Sequence, residues 1–240
     1  MKDAIFNRRS IRKYTDERLS AEQLAQLATT LDGFKPIIPG IKYQVALLEA
    51  EEVKGYMGLK SPYYALFYSE RKAGYLENVG FIGQLFSLYL TTQGIGSCWL
   101  GMSKTGKNKQ GLPYVIAMSY GKTTEKLTRE PSEFRRLPLE EVSNADNEII
   151  RGVALAPSAK NLQGWYFYCE NDLVHCYRRK LGTVMQRMIG GMVNIDLGIA
   201  ISHLCLLCQD YEFIMVDQPP IIDKCEYFLT VKSASLLLTT

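Results

Sequence analysis

Near the N-terminus, Arg8, Arg9, Ser10 and Arg12 gather three guanidinium groups and a hydroxyl within one short stretch. Guanidinium forks suit phosphate oxygens, because two parallel N–H donors meet two acceptors. In an extended segment Arg8, Ser10 and Arg12 project to the same side, which makes a pocket for one phosphate and not a track for a polymer. Alone, the cluster reads equally as a solvated helix end with surface ion pairs. No basic stripe with interleaved stacking aromatics accompanies it, so nucleic acid is not an expected partner.

Two further stretches are shaped to approach a ligand. APSAKNLQGW, Ala156 to Trp165, reads as a tight polar elbow leading into a strand, unexpectedly late in the chain. GIGSCWLGM, Gly94 to Met102, has glycines that let backbone N–H groups come close to a bound molecule. It reads as well as a helix C-cap entering a strand. It lacks the G-x-G-x-x-G spacing after a strand, and no phosphate loop occurs elsewhere, so neither nucleotide motif is expected.

The remaining chemistry-bearing residues point to little. His203, Cys205 and Cys208, with His175 and Cys176 nearby, could be imagined around zinc, yet they fall inside the apolar run IAISHLCLLC. The C-x-x-C of Cys205 and Cys208 lacks the glycine or proline of a redox elbow, and the six cysteines read as reduced core thiols. No metal is expected. No Ser-His-Asp or paired-carboxylate arrangement is visible either.

These residues need elements to position them. A chain of 240 residues, 47% of them hydrophobic, can fill one large core or two small ones. With 28 basic against 25 acidic side chains the net charge is only +3, so no long-range field recruits nucleic acid or an acidic membrane. No apolar run is read as reaching the roughly 20 residues that span a bilayer, and MKDAIFNRRS lacks the order of a secretion signal. A cytosolic location, without membrane contact, is the expectation.

A short first helix ends near Asn7, and Ser20 with Gln23 forms a capping box before LAQLATTL. KYQVALLE and PYYALFYS read as strands; a long helix runs from about Tyr75 to Gln93, where Gly94 breaks it, and PYVIAMSYG resumes strand character. After the polar segment PSEFRRLPLEE the same order begins again. EIIRGVALA resembles the second helix, WYFYCE the first strand, GGMVNIDLGIAISHLCLLC the long helix and KCEYFLTVK the closing strand. The long helices align with Gly83 and Ser87 opposite Gly198 and Ser202, small residues four apart on one face. The expected fold is α+β, with two similar halves, residues 1–130 and 131–240, packed about an approximate two-fold axis as an intramolecular pseudo-dimer.

Together the three stretches resemble the nitroreductase superfamily of flavin mononucleotide (FMN) enzymes. Chains of that family open with R-R-S-x-R, here RRSIR followed by KYTDERLSAEQL, and carry A-P-S-x-x-N-x-Q-P-W and G-x-G-S-C-W-x-G segments. The resemblance spans most of the chain. In ordinary members the A-P-S segment follows the first motif by a few tens of residues, where this chain has TTLDGFKPIIPG. Members are homodimers that bind FMN at the interface, one subunit gripping the phosphate and the other supplying the A-P-S-x-x-N loop. The first half here keeps the phosphate motif and the second keeps the loop; the reciprocal pair is lost, FRRLP being the nearest echo of RRSIR. The chain thus resembles a fused, single-chain branch of the superfamily, which implies one FMN per chain.

Carried over by position, Arg8, Arg9, Ser10 and Arg12 would hold the phosphate, and Ser158 and Asn161 would reach the ring, with Pro157 shaping the loop. Leu100, Gly101 and Met102 would lie near the reactive N5, where a backbone N–H stabilises the reduced state. Arg136, or Arg135 beside it, would add a phosphate contact. Ala159 stands for a frequent serine and Gly164 for the usual proline, departures that bear on ring recognition.

The resemblance implies hydride transfer from NADH or NADPH through the flavin, with ping-pong kinetics, to a small-molecule electron acceptor such as a nitroaromatic or quinone. Loops such as LTREPSEF and the segment around Leu181 to Gly191 would shape the acceptor pocket. The alternatives are a flavin-binding or flavin-processing module without NAD(P)H turnover, and a basic interaction protein without cofactor. With both halves of the interface internal a monomer suffices, and a homodimer stays open.

Overall fold

The computed structural model describes residues 1–208 and 210–239. Helix α1 (Lys2–Asn7) leads through an extended segment to α2 (Ala21–Gly33). The start of α2 is the expected capping box: Gln23 N donates to Ser20 Oγ at 3.1 Å and Ser20 N to Gln23 Oε1 at 3.0 Å. Then follow β1 (Tyr43–Glu49), β2 (Gly55–Tyr56), β3 (Tyr63–Ser69), the long α3 (Tyr75–Thr92), β4 (Gly96–Leu100), β5 (Lys104–Thr105) and β6 (Tyr114–Gly121). The rest of the chain forms α4 (Leu139–Val142), α5 (Glu148–Ala154), β7 (Trp165–Glu170), β8 (Leu173–Arg179), α6 (Thr183–Leu207), β9 (Glu212–Ile214) and β10 (Cys225–Lys232).

Two four-stranded antiparallel sheets result, ordered β1-β3-β6-β4 and β7-β8-β10-β9, beside a small β2-β5 pair. Both sheets have the same order of strands along the chain, and in both the long helix leaves the second strand. This is an α+β fold with helices packed between and against sheets. Strand β3 shows why the first sheet is stable. All seven of its residues are buried: Tyr63, Ala65 and Phe67 face the main core, while Tyr64, Leu66 and Tyr68 face a second cluster with Met57, Leu100 and Ala117.

The centre of the molecule is the crossing of α3 and α6, both apolar around most of their circumference and therefore buried. Their backbones touch. A Cβ on Gly80 would lie 2.0 Å from the Ile195 carbonyl oxygen, and one on Gly198 2.0 Å from the Glu77 carbonyl oxygen. Only glycine allows this approach, and the contact is reciprocal: each glycine meets the residue three positions before the other. The expected pairing of Gly83 with Gly198 is therefore off by one turn. Gly83 instead faces Trp99 and Phe67, and Ser87 bonds the Ser97 hydroxyl at 2.9 Å, both toward the first sheet. Glycines at 80 and 83 offer nearly the same face three residues apart, which is how the sequence misleads.

Helix α6 corrects two more expectations. The segment around Leu181 to Gly191 is not a loop but mostly the first turns of this helix. Its stretch Met188–Leu207 is, among the described residues, the one helix long and apolar enough to cross a membrane, and 78% of it is buried inside the protein.

Candidate functional site

The arginine cluster is fixed by backbone pairing. Arg8 N closes α1 on Ala4 O at 2.9 Å, and the chain then runs extended beside residues 127–129, with Arg9 N donating to Leu127 O and Arg129 N to Asn7 O at 2.8 Å. Ile11 N reaches Ser97 O of β4 at 2.9 Å. Alternation sets Arg8 and Ser10 on one side, Nη1 lying 3.4 Å from the Ser10 hydroxyl. Arg9 turns outward to pair with Glu133.

Arg8 is 4% exposed. Burial, followed by the positive charges of Arg129, Arg136 and Arg12, lowers its pKa to about 10, against an opposing contribution from Cys98. Burial, then Arg129, lowers Arg136 to about 10 as well. None of Arg8, Arg12, Arg129 and Arg136 forms an ion pair among the described residues, and Arg136 Nε is buried without a partner. Unpaired buried charge is costly, and of these four Arg8 is buried, Arg129 and Arg136 are half-buried and Arg12 is exposed, so the cost falls mainly on Arg8. Arg129 is not among the sequence candidates. It stacks at 4.0 Å on Phe134 and donates from Nε to Arg8 O at 3.0 Å, a role that only the fold reveals.

The late elbow is held in an unusual shape. Lys160, Asn161 and Gln163 all have left-handed backbone, with φ of 51°, 58° and 49°, a conformation that persists only where the surroundings over-determine it. Here they do. Gln163 N donates to the Ser158 hydroxyl at 2.9 Å, leaving that hydroxyl's proton to donate elsewhere, and the buried Gln163 amide accepts from Leu137 N at 2.9 Å. Asn161 is exposed, its oxygen taken by Arg136 at 2.7 Å and its nitrogen by Arg135 O at 2.7 Å, while Arg136 also donates to Leu155 O at 2.8 Å. Finally, Ala159 N donates to both oxygens of Asp196 on α6, at 3.1 and 3.0 Å.

These two constructions meet at a cavity of about 450 Å³. Ser10 and Arg12 line it from the N-terminal segment, and Cys98, Trp99, Gly101 and Met102 from β4 and its exit. Pro157 and Ser158 line it from the elbow, opposite Met192, Ile195 and Asp196 of α6. Of the sequence candidates, Ser10, Arg12, Gly101, Met102, Pro157 and Ser158 are thus brought together. Arg8, Arg9, Arg136 and Asn161 are not on its wall, and Leu100 is buried in the second cluster of the first sheet.

The wall is braced by a buried polar chain. Trp99 Nε1 donates to Gln84 Oε1 at 3.2 Å, Gln84 Nε2 donates to His203 Nε2 at 3.0 Å, and His203 Nδ1 donates to Gly152 O at 3.0 Å. Burial lowers the His203 pKa to about 3, so the ring is neutral. Both its nitrogens are committed, which removes it from the imagined zinc set. Burial likewise holds the Cys205 thiol well above its ordinary value.

Asp196, also missed from sequence, is 3% exposed. Its burial raises the carboxyl pKa to about 8, the Ala159 N–H opposing. The signal was present, since Asp196 is the single charged residue between Met188 and Leu207. The arrangement sets a group of arginines beside an apolar slot with sparse polar groups, and among the described residues no nucleophile is poised against a base there.

Comparison with known proteins bears on this geometry. A family model described as "Putative TM nitroreductase" matches residues 1–208. Among solved structures, one described as a putative nitroreductase from Thermotoga maritima superposes with a TM-score of 0.65 at 20% identity, covering 97% of this chain and 93% of that one. An FMN-dependent nitroreductase from Clostridium difficile covers 56% of this chain and 94% of its own, with a TM-score of 0.46 at 17% identity. No curated protein gives a significant match.

Proposed function

The chain belongs to the nitroreductase family, and from that premise we propose that it is an FMN-dependent oxidoreductase, taking hydride from NADH or NADPH and reducing a nitroaromatic, quinone or similar acceptor. The observation that carries this reading is the unpaired group of Arg8, Arg12, Arg129 and Arg136 beside a cavity walled by residues from both ends of the chain. Guanidinium groups without a carboxylate fit a phosphate dianion, and the orphaned Arg136 Nε is a donor in wait. The cavity volume falls within the ~300–1,000 Å³ of small-ligand sites.

When bound, FMN supplies two-electron chemistry, accepting and returning hydride. The chain's own residues bind and orient. Arg8, Ser10 and Arg12 would hold the phosphate with Arg129 and Arg136, and the Ser158 hydroxyl proton and the Gly101 N–H would be available to the ring. The Arg136–Asn161 pair ties the elbow to the phosphate side, so grip and ring recognition share one brace. Met102, 79% exposed, and Met188, 64% exposed, sit at the mouth. Flexible thioethers there suit a flat apolar acceptor of variable shape. One open face of the flavin would make reductant and acceptor visit in turn, hence ping-pong kinetics.

The same reading makes residues 1–130 and 131–240 two halves about a pseudo-two-fold axis with one surviving site. The Gly80–Ile195 and Gly198–Glu77 contacts and the matching sheet orders support it. Where the site has Pro157-Ser158-Ala159, the other half has Pro36-Ile37-Ile38, and Ile38 and Phe228 close over Gly74. A monomer therefore holds a whole site.

The test is to saturate the purified protein with FMN, measure the stoichiometry from its visible absorption, and add NADH or NADPH without oxygen. One FMN per chain, bleached by one of the two nucleotides and recoloured by a quinone, is expected. Bound flavin that neither nucleotide reduces would leave a flavin-holding module, and two FMN per chain would refute the single-site reading.

A further inference from the structure

Helix α3 and helix α6 each clamp the loop that precedes their sheet, and the two clamps differ in one atom. Two residues before Gly80 stands Asn78, 1% exposed; two residues before Gly198 stands Asp196, 3% exposed. Asn78 Oδ1 accepts from Ile38 N at 2.9 Å and its Nδ2 donates to Ile38 O at 2.9 Å. Ile38 is the third residue of Pro36-Ile37-Ile38, as Ala159 is of Pro157-Ser158-Ala159. A buried amide thus performs the clamp completely, meeting a donor and an acceptor.

Asp196 performs half of it. Both its oxygens point to the single Ala159 N–H, and no other hydrogen bond reaches them among the described residues. An ionised carboxylate has about four lone-pair sites to satisfy; here one N–H serves them, beside apolar Ile195, Ile199 and Met192. A protonated carboxyl instead has one O–H, and among the described residues no hydrogen bond beyond the Ala159 N–H reaches Asp196. The carboxyl lines the cavity, so a group that enters there can accept this O–H.

We propose that Asp196 carries a proton in the resting site and donates it as a hydrogen bond to an acceptor atom on the ring system of the bound flavin. The proposal rests on the FMN reading above and adds to it a proton-linked contact. The charged and titratable groups around the cavity do not displace it. Arg12, Cys98 and Lys160 share the walls, and on the α3 side Glu77 is tied to Arg178 at 3.2 Å. Burial is what raises the carboxyl pKa, and no charged neighbour contributes. The sign follows: the binding form is the protonated one, so affinity is full below the raised pKa and is lost as pH rises through it.

The experiment is a fluorescence titration of the full chain with FMN from about pH 7 to about pH 9.5, above the second pKa of the phosphate at about 6. It compares the wild type with Asp196→Asn, which keeps the clamp and an N–H donor, as Asn78 does, but cannot titrate. The wild type is expected to hold its affinity to about pH 8 and then weaken toward tenfold per pH unit. Asp196→Asn is expected to stay within a few-fold of the wild type at pH 7 and to show no such fall. The same inflection in both proteins, or a flat wild-type profile, would overturn the proposal; the wild-type profile alone decides should the variant fail to fold. No FMN binding at any pH is a different result, which sinks the FMN reading and this contact with it.

Discussion

Replacing Arg8 with methionine distinguishes a residue that serves an anion from one that serves the fold. In the ligand-free chain, burial and three neighbouring arginines lower the Arg8 pKa from 12.5 to about 10. At ~1.36 kcal/mol per unit this destabilises the charged side chain by on the order of 3 kcal/mol. At 4% exposure little solvent screening reduces that figure. The group is a base with a depressed folded-state pKa, so the cost is fully present below about pH 10, where it is charged folded and unfolded alike. Methionine keeps the unbranched apolar stem and gives up one 3.4 Å bond to Ser10, worth ~1 kcal/mol at most.

The ligand-free variant should therefore be more stable by about 2 kcal/mol, a rise of roughly 4–8 °C in melting temperature for a chain of this size. FMN should bind about 10- to 100-fold more weakly, because a charge-assisted bond of ~1.5–3 kcal/mol is gone. The assay is thermal melting by circular dichroism with no ligand, with inorganic phosphate and with FMN, paired with calorimetric titration. Both anions should raise the melting point of the wild type more than that of the variant. A variant that melts lower than the wild type without ligand and binds FMN equally well would refute the argument and make Arg8 a structural residue.

Two other perturbations follow from the helix crossing and its polar brace. Gly80→Ala and Gly198→Ala each bring a Cβ to 2.0 Å from a carbonyl oxygen, where ordinary contact begins at 3.4 Å; each should cost ~1–3 kcal/mol or more in urea unfolding. The same helix separation relieves both clashes, so the double variant should cost clearly less than the sum, and strict additivity would show two independent contacts. His203→Gln should remove part of the acid sensitivity. The folded ring resists protonation down to about pH 3 while the unfolded ring charges near pH 6.5, so wild-type stability falls across that window by on the order of 1 kcal/mol per pH unit. Unfolding midpoints at pH 7 and 5 measure this, and an unchanged slope in the variant would contradict the neutral buried ring.

Local signals were legible and tertiary ones were not. The Ser20–Gln23 capping box, the end of α3 and strands β1, β3 and β6 follow from near-neighbour chemistry, and the structure repeats them. Strand β8, LVHCYRR, carries a histidine and two arginines that hide its period of two. The sequence places the second long helix from Gly190, whereas α6 begins seven residues earlier, at Thr183. The arginine motif stood out because its members are contiguous. Arg129 matters only because the chain returns beside Arg8, and Asp196 only because α6 turns it toward Ala159.

On the fused-halves reading proposed above, the two helix clamps also account for one site where two would be expected. A flavin site needs an apolar wall that yields to a ring, and α6 offers Ile195 and Ile199 beside a carboxyl with one partner. At the positions of Ile195 and Asp196, α3 presents Glu77 and Asn78. Glu77, 1% exposed, is held at 3.2 Å by Arg178, whose other nitrogen binds Glu226 at 2.5 Å; Asn78 is saturated by Ile38. Glu77, Asn78 and Arg178 on that side thus have their partners inside the chain, and Ile38 and Phe228 fill the space against Gly74. On the other side the arginines and Asp196 are left short of partners. A protein that keeps unpaired polar groups in one half while satisfying their counterparts in the other carries a stability cost that a bound ligand offsets. On the proposed reading, that imbalance, more than the motifs alone, distinguishes the half-pair that would hold the ligand.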